Sequence, residues 1–132
     1  DARNDEAGTA LMDCAHFGAY REMALLIQYG ADPNLKDLCG HNALHYAAFN
    51  SLQGRSTEYA MVKATKCLVQ AGVSTTHRNS WGYSPIEAVS KNFQDESVFV
   101  STVLAAQAAY VRNQLKVGLG KRTRAKKRTR VM

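Results

Sequence analysis

The chain has 132 residues, 45% of them hydrophobic and 21% charged, with a formal net charge of +6. That length bounds one domain with room for a real core, and no apolar run approaches the roughly 18 residues a membrane-crossing helix needs. Cys14, Cys39 and Cys67 are widely spaced and form no C-x-x-C pair, which argues against a disulfide framework or a zinc module and suits a reducing compartment.

The charge is unevenly placed. Residues 1–111 carry 8 Lys+Arg against 11 Asp+Glu, whereas residues 112–132 carry 9 basic residues and no acid. A mildly acidic body thus ends in a strongly basic segment. The opening DARNDEAG has neither the basic nor the apolar region of a signal peptide. It also has no initiator Met, so an excised or processed chain is expected.

In chain order, AGTALMDCAHFG (7–18) aligns with GHNALHYAAFNS (40–51), placing Leu11 on Leu44 and Ala15 on Ala48, 33 residues apart. GYSPIEAVSKN (82–92) is a third copy, 42 residues after the second. The unit ends agree as well, LLIQYGADPN (25–34) with CLVQAGVSTT (67–76). The second unit therefore holds about nine extra residues within 51–61. A repeat of this length is one helical supersecondary unit that buries its apolar face only by stacking.

First helices are expected over 10–17, 43–50 and 85–92, and second helices over 20–29, 57–71 and 96–115. Thr9, Asn42 and Ser84 stand where a side-chain oxygen accepts from orphan helical N–H groups. Pro85 suits the first helical position, and Gly30 and Gly72 suit the left-handed residue that ends a helix. Gly54 breaks the inserted segment, after which Ser56 or Thr57 can cap a lengthened helix with Ala60, Met61, Ala64, Cys67, Leu68 and Ala71 on its apolar face. In the last helix Val100, Val103, Leu104, Gln107, Ala108, Val111 and Leu115 form one apolar stripe with a single polar interruption, expected to cap the stack.

The 33-residue period, with Gly40, Asn42, Ala43, Leu44, His45, Ala47 and Ala48 early in the unit and Gly30, Ala31 and Asn34 late, resembles the ankyrin repeat. Gly82, Ser84, Pro85 and Ile86 repeat the pattern. Met12, Glu87 and Cys14 depart from it. The resemblance covers about residues 4–111. It implies an all-α solenoid of about three helix-turn-helix units (4–36, 37–78 and 79–115), short β-hairpin fingers and a long C-terminal capping helix. Residues 1–115 then form the repeat domain and 116–132 a basic tail. The unit that opens the chain has no polar cap, so further repeats or a partner are expected ahead of Asp1.

No catalytic constellation is present, and the expectation is a non-enzymatic protein without cofactor or metal. His41 and His45 sit four apart, but no His-Glu-x-x-His occurs. The resemblance assigns His45 to bonds between neighbouring turns and turns His41 outward. Ankyrin-like stacks bind protein partners through fingers and the first-helix face. That pattern selects Asp5, Glu6, Gly8, His16 and Phe17, then Leu38, Cys39, His41, Phe49 and Asn50, then Ser80, Trp81, Tyr83, Lys91 and Asn92. Phe17, Leu38, His41, Phe49, Asn50, Trp81 and Tyr83 are the main candidates, because aromatic anchors dominate interface energetics.

Lys121, Arg122, Arg124, Lys126, Lys127, Arg128 and Arg130 make the tail an importin signal or a contact for nucleic-acid backbone. The tail has no aromatic residue, so base stacking is not expected. On its own it reads as disordered. The function expected is a protein-interaction module of a larger nuclear or regulatory protein. The competing reading is a structural subunit of a ribonucleoprotein or organellar assembly whose tail lies on RNA. Location follows as nuclear or cytoplasmic, with an organelle as the third case, and no membrane partner is expected.

Overall fold

The computed structural model describes residues 2–90 and 97–131, with side chains over 8–51, 53–88 and 98–116. Six helices occur among them: α1 (Ala2–Phe17), α2 (Tyr20–Gln28), α3 (Ala43–Gln53), α4 (Glu58–Gln70), α5 (Pro85–Ser90) and α6 (Ser97–Val131). First helices α1, α3 and α5 pack side by side, as do second helices α2, α4 and α6. Leu11, Ala15, Met23, Leu44, Ala47, Ala48, Ala64, Leu68 and Phe99 are buried between these layers. Each fully buried Leu or Phe contributes about 1.5–3 kcal/mol. The alanines keep the helices close.

The second unit has the most complete start. Asn42 is extended and caps α3, its Oδ1 accepting from the His45 N–H at 3.1 Å, while the Asn42 N–H donates to His45 Nδ1 at 3.1 Å. This is a reciprocal capping box, with a histidine in the place usually held by Glu or Gln. Thr57 caps α4 through Ala60 N–H at 3.1 Å, and Ser84 accepts from Glu87 N–H at 3.2 Å ahead of Pro85. Positive φ at Gly30 and Gly72 ends α2 and α4.

Side chains then tie one unit to the next. Asn34 donates to the Gly72 carbonyl at 3.2 Å and accepts from Ser74 N–H at 2.9 Å. Asn42 Nδ2 donates to the Ser74 carbonyl at 3.0 Å, and His45 Nε2 donates to the Tyr83 carbonyl at 2.8 Å. His77 Nε2 donates to the Gly40 carbonyl at 2.9 Å. Loop backbone that would otherwise lack partners is thereby satisfied.

Several expectations need correction. Among the described residues there is no strand. The two fingers are tight turns, closed by Asp37 N–H to His41 carbonyl at 3.0 Å and Asn79 N–H to Tyr83 carbonyl at 2.9 Å. One bond crosses between them, Ser80 N–H to Cys39 carbonyl at 2.9 Å. This is hairpin geometry too short to extend into a ladder.

In the first unit the described residues aligned with the finger are helical. Its helix begins at Ala2, so Thr9 lies inside α1 instead of capping it, and Asp5, Glu6 and Gly8 are helical. Gly8 is buried where an added Cβ would collide with Leu35. It serves close packing, not a turn.

In α6 the buried face is Phe99, Thr102, Val103 and Ala106, while Leu104, Val111 and Leu115 are exposed. Of the expected stripe, Val103 is buried and Val100 packs against the core, and the rest of the buried face lies about one position round the helix. The helix also continues to Val131 instead of giving way to a disordered tail after 115. Ala, Lys and Arg are good helix formers, and residues 112–131 contain no proline to stop the ladder. Lys91 and Asn92 lie outside the described residues, as do the side chains from Lys121 to Arg130.

Candidate partner-binding surface

The finger of unit two is organised by one carboxylate. Asp37 Oδ1 accepts from the Cys39 and His41 N–H groups, each at 2.9 Å. Its Oδ2 accepts from the Tyr46 hydroxyl at 2.5 Å and from His41 Nδ1 at 3.2 Å. Burial pushes the Asp37 pKa up, but these bonds and the His41 charge outweigh it and leave the group below its ordinary value. Burial and the same carboxylate push Tyr46 up to about 12. Gly40 at φ 76 turns the finger, and a Cβ there would press on Ser80 N at 3.3 Å.

His41 is thereby aimed into a set of rings. It stacks on Trp81 with centroids 5.6 Å apart and planes at 24°. Its edges meet Phe49 at 5.1 Å and Tyr46 at 5.9 Å. Further along the same face, Tyr46 meets His16 at 6.0 Å, and His16 lies 5.1 Å from Phe17. Arg55, from the inserted segment, covers the outer side of Phe17 at 5.7 Å. An aromatic band thus runs from Phe17 through His16, Tyr46, Phe49 and His41 to Trp81, across all three units.

The sequence candidates divide on exposure. Leu38 is fully exposed, Trp81 is 63% exposed and Phe17 53% exposed. Phe49 and Tyr83 are half-buried. His41 is wedged among rings, with its side chain 12% exposed, so it supports the surface more than it projects from it. Asn50 is no surface residue at all: it is 1% exposed. Its Nδ2 donates to Ser56 Oγ at 2.9 Å and to the Ala15 carbonyl at 3.5 Å. It anchors the insertion against α1. Tyr46 was missed by sequence reading. Its signal was spacing, since it stands one helical turn before Phe49 on α3.

The two histidines that first suggest a metal have other duties. His45 is fully buried, with Nε2 donating to Tyr83 and Nδ1 accepting from Asn42, which fixes the neutral tautomer and occupies both nitrogens. Burial, aided by the charges of His41 and His77, lowers its pKa against the opposing pull of the Tyr83 bond. Asp37, Cys39 and His41 bring ligand-type atoms within 4.8 Å of one another. The four bonds to Asp37 use its acceptor capacity, so this trio works as a loop clasp.

Comparison with known proteins places this geometry. Residues 11–60 match the family model described as ankyrin repeats (many copies). Residues 11–60 thus carry ankyrin-repeat sequence, as the resemblance implied. Over 87 residues it is 32% identical to a Plasmodium falciparum protein whose name proposes it as an E3 ubiquitin-protein ligase. That stretch covers 65% of this chain and 1% of that protein's length. Ankyrin repeats of this kind indicate a protein-interaction module. No helix among the described residues is long and apolar enough to cross a membrane.

Proposed function

We propose that the chain is a non-enzymatic recognition module that takes a partner protein on the finger and first-helix face, through Phe17, Leu38, Phe49, Trp81 and Tyr83, with His41 as the ring that holds Trp81. The observation carrying this reading is the aromatic band with Trp81 and Leu38 standing out of it. Fully solvated faces rarely carry so much apolar area in one line. Trp81→Ala should weaken partner capture by ~2 kcal/mol or more, as should Phe49→Ala to a smaller extent. Both would be compared with wild type by pull-down followed by calorimetry on the captured protein. Equal loss of thermal stability and binding would count against the surface.

In this reading the module belongs to a larger nuclear or regulatory protein. The relative's ubiquitin-ligase name fits a recognition arm of that kind. The basic segment, Lys121 to Arg130, then provides importin recognition or phosphate contact. Fusing 116–132 to a cytosolic reporter separates these: nuclear accumulation supports import. A ribosome-associated or organellar signal favours the ribonucleoprotein reading, in which the basic helix lies on RNA.

A further inference from the structure

Between α2 and α4, the second helices, lies an open groove of about 510 Å³ whose lining includes Tyr20, Arg21, Tyr59, Lys63 and Lys66. Tyr20 and Tyr59, both in its lining, meet edge to face at 6.1 Å. Arg21 is held over the Tyr20 ring at 5.8 Å and Lys63 over the Tyr59 ring at 5.5 Å. Ring faces attract cations, so these two charges are placed in advance. Lys66 follows Lys63 by three residues on α4, on the same helical face.

The charge of this groove is set against its surroundings. Residues 1–111 hold only eight basic residues and have an acidic excess, yet three of the eight line this one groove. No carboxylate is among the lining residues. The ion pairs seen among the described residues are His41–Asp37 and Arg78–Glu87, neither of which uses Arg21, Lys63 or Lys66.

We propose that the α2–α4 groove is a second docking site, for a short acidic peptide segment of a partner protein, distinct from the aromatic surface on the first-helix face. Carboxylates would pair with Arg21, Lys63 and Lys66, while the exposed Tyr59 ring takes an apolar side chain between them. A peptide fits better than nucleic acid on count alone. Three cations fall short of the six to ten phosphate contacts of typical duplex binding, and the acidic remainder of the body repels a longer polyanion.

The test uses the full chain, so that the basic C-terminal segment contributes equally to every measurement. Fluorescence anisotropy follows a short labelled peptide of alternating Asp, Glu and Leu, its Asn/Gln counterpart, and a single-stranded RNA oligomer. The acidic peptide should bind and the neutral one should not. Lys63→Glu with Lys66→Glu should weaken binding by about tenfold or more, and Lys66→Gln alone by less, with helical circular dichroism unchanged because these side chains are exposed. Trp81→Ala should leave peptide affinity within about twofold, which separates this site from the front surface. Peptide affinity unmoved by the double reversal would assign the binding to the C-terminal segment and overturn the proposal. So would no peptide binding, or RNA binding that is tighter and equally sensitive to Lys63 and Lys66.

Discussion

Units one and two carry the same stretch of sequence, 33 residues apart, and build it differently. In unit two, Gly40 turns a finger, Asn42 caps α3, and His45 reaches from the cap to the Tyr83 carbonyl of unit three. In unit one, the residues aligned with Asn42 and His45 are Thr9 and Met12. Thr9 is inside a longer helix, and Met12 is simply buried in the core. The apolar positions Leu11 and Leu44, Ala15 and Ala48 do the same work in both. The difference teaches that the apolar spacing makes the helices pack, whereas Gly40, Asn42 and His45 shape the finger on which Asp37 holds His41, the ring behind Trp81.

The sharpest way to break this distinction is to remove the cap. Asn42→Ala deletes the acceptor for the His45 N–H and the donor to the Ser74 carbonyl, both in a site 1% exposed. Losing a cap costs about 1 kcal/mol, and a buried group left without its partner about 1–3 kcal/mol more. A destabilisation of ~3 kcal/mol is expected in urea unfolding, together with weaker partner binding as the finger loosens. A loss under ~1 kcal/mol would mean that water replaces both bonds and that Gly40, Asn42 and His45 are not what distinguishes unit two.

Much of this was legible in the chain because it is local. The 33-residue offset, the caps at Asn42, Thr57 and Ser84, Pro85 and the glycines at helix ends all depend on a few neighbouring residues. What was not legible depended on distant packing. Gly8 reads as a partner-facing position by motif until Leu35 is seen to occupy the space where a side chain would be. Asn50 reads as a surface residue by motif position, but the insertion folds back and buries it through Ser56. The last helix carries valines on two adjacent faces. Only docking against α4 selects Phe99, Thr102, Val103 and Ala106 over the rest of the stripe one position away. On the candidate surface, Trp81 and Leu38 were visible as apolar residues in an outward pattern. The wedge of His41 between Trp81 and Phe49 required two fingers and a helix to be placed together.

A smaller effect probes the same distinction through protons. Burial holds the His45 pKa below its ordinary 6.5, so the unfolded chain binds protons there that the folded chain refuses. Its contribution to stability is therefore complete above pH 6.5 and is lost as pH falls below that value toward the folded pKa. Protonation also removes the lone pair that accepts from Asn42 N–H and turns Nδ1 into a donor toward Asn42 Oδ1, 2.9 Å away, which changes the capping box. The groups facing His45 are His41, His77 and Asp37. Asp37 is held below its ordinary 3.8, so its own loss comes at lower pH and does not overlap the upper part of this window. Urea midpoints measured from pH 8 down to 5 should fall below about pH 6.5 for the native chain. His45→Met, which copies the residue unit one carries at this place, should be less stable at neutral pH but lose that decline. A decline that persists in His45→Met would move the proton-sensitive group to another histidine and would leave the two units alike in this respect.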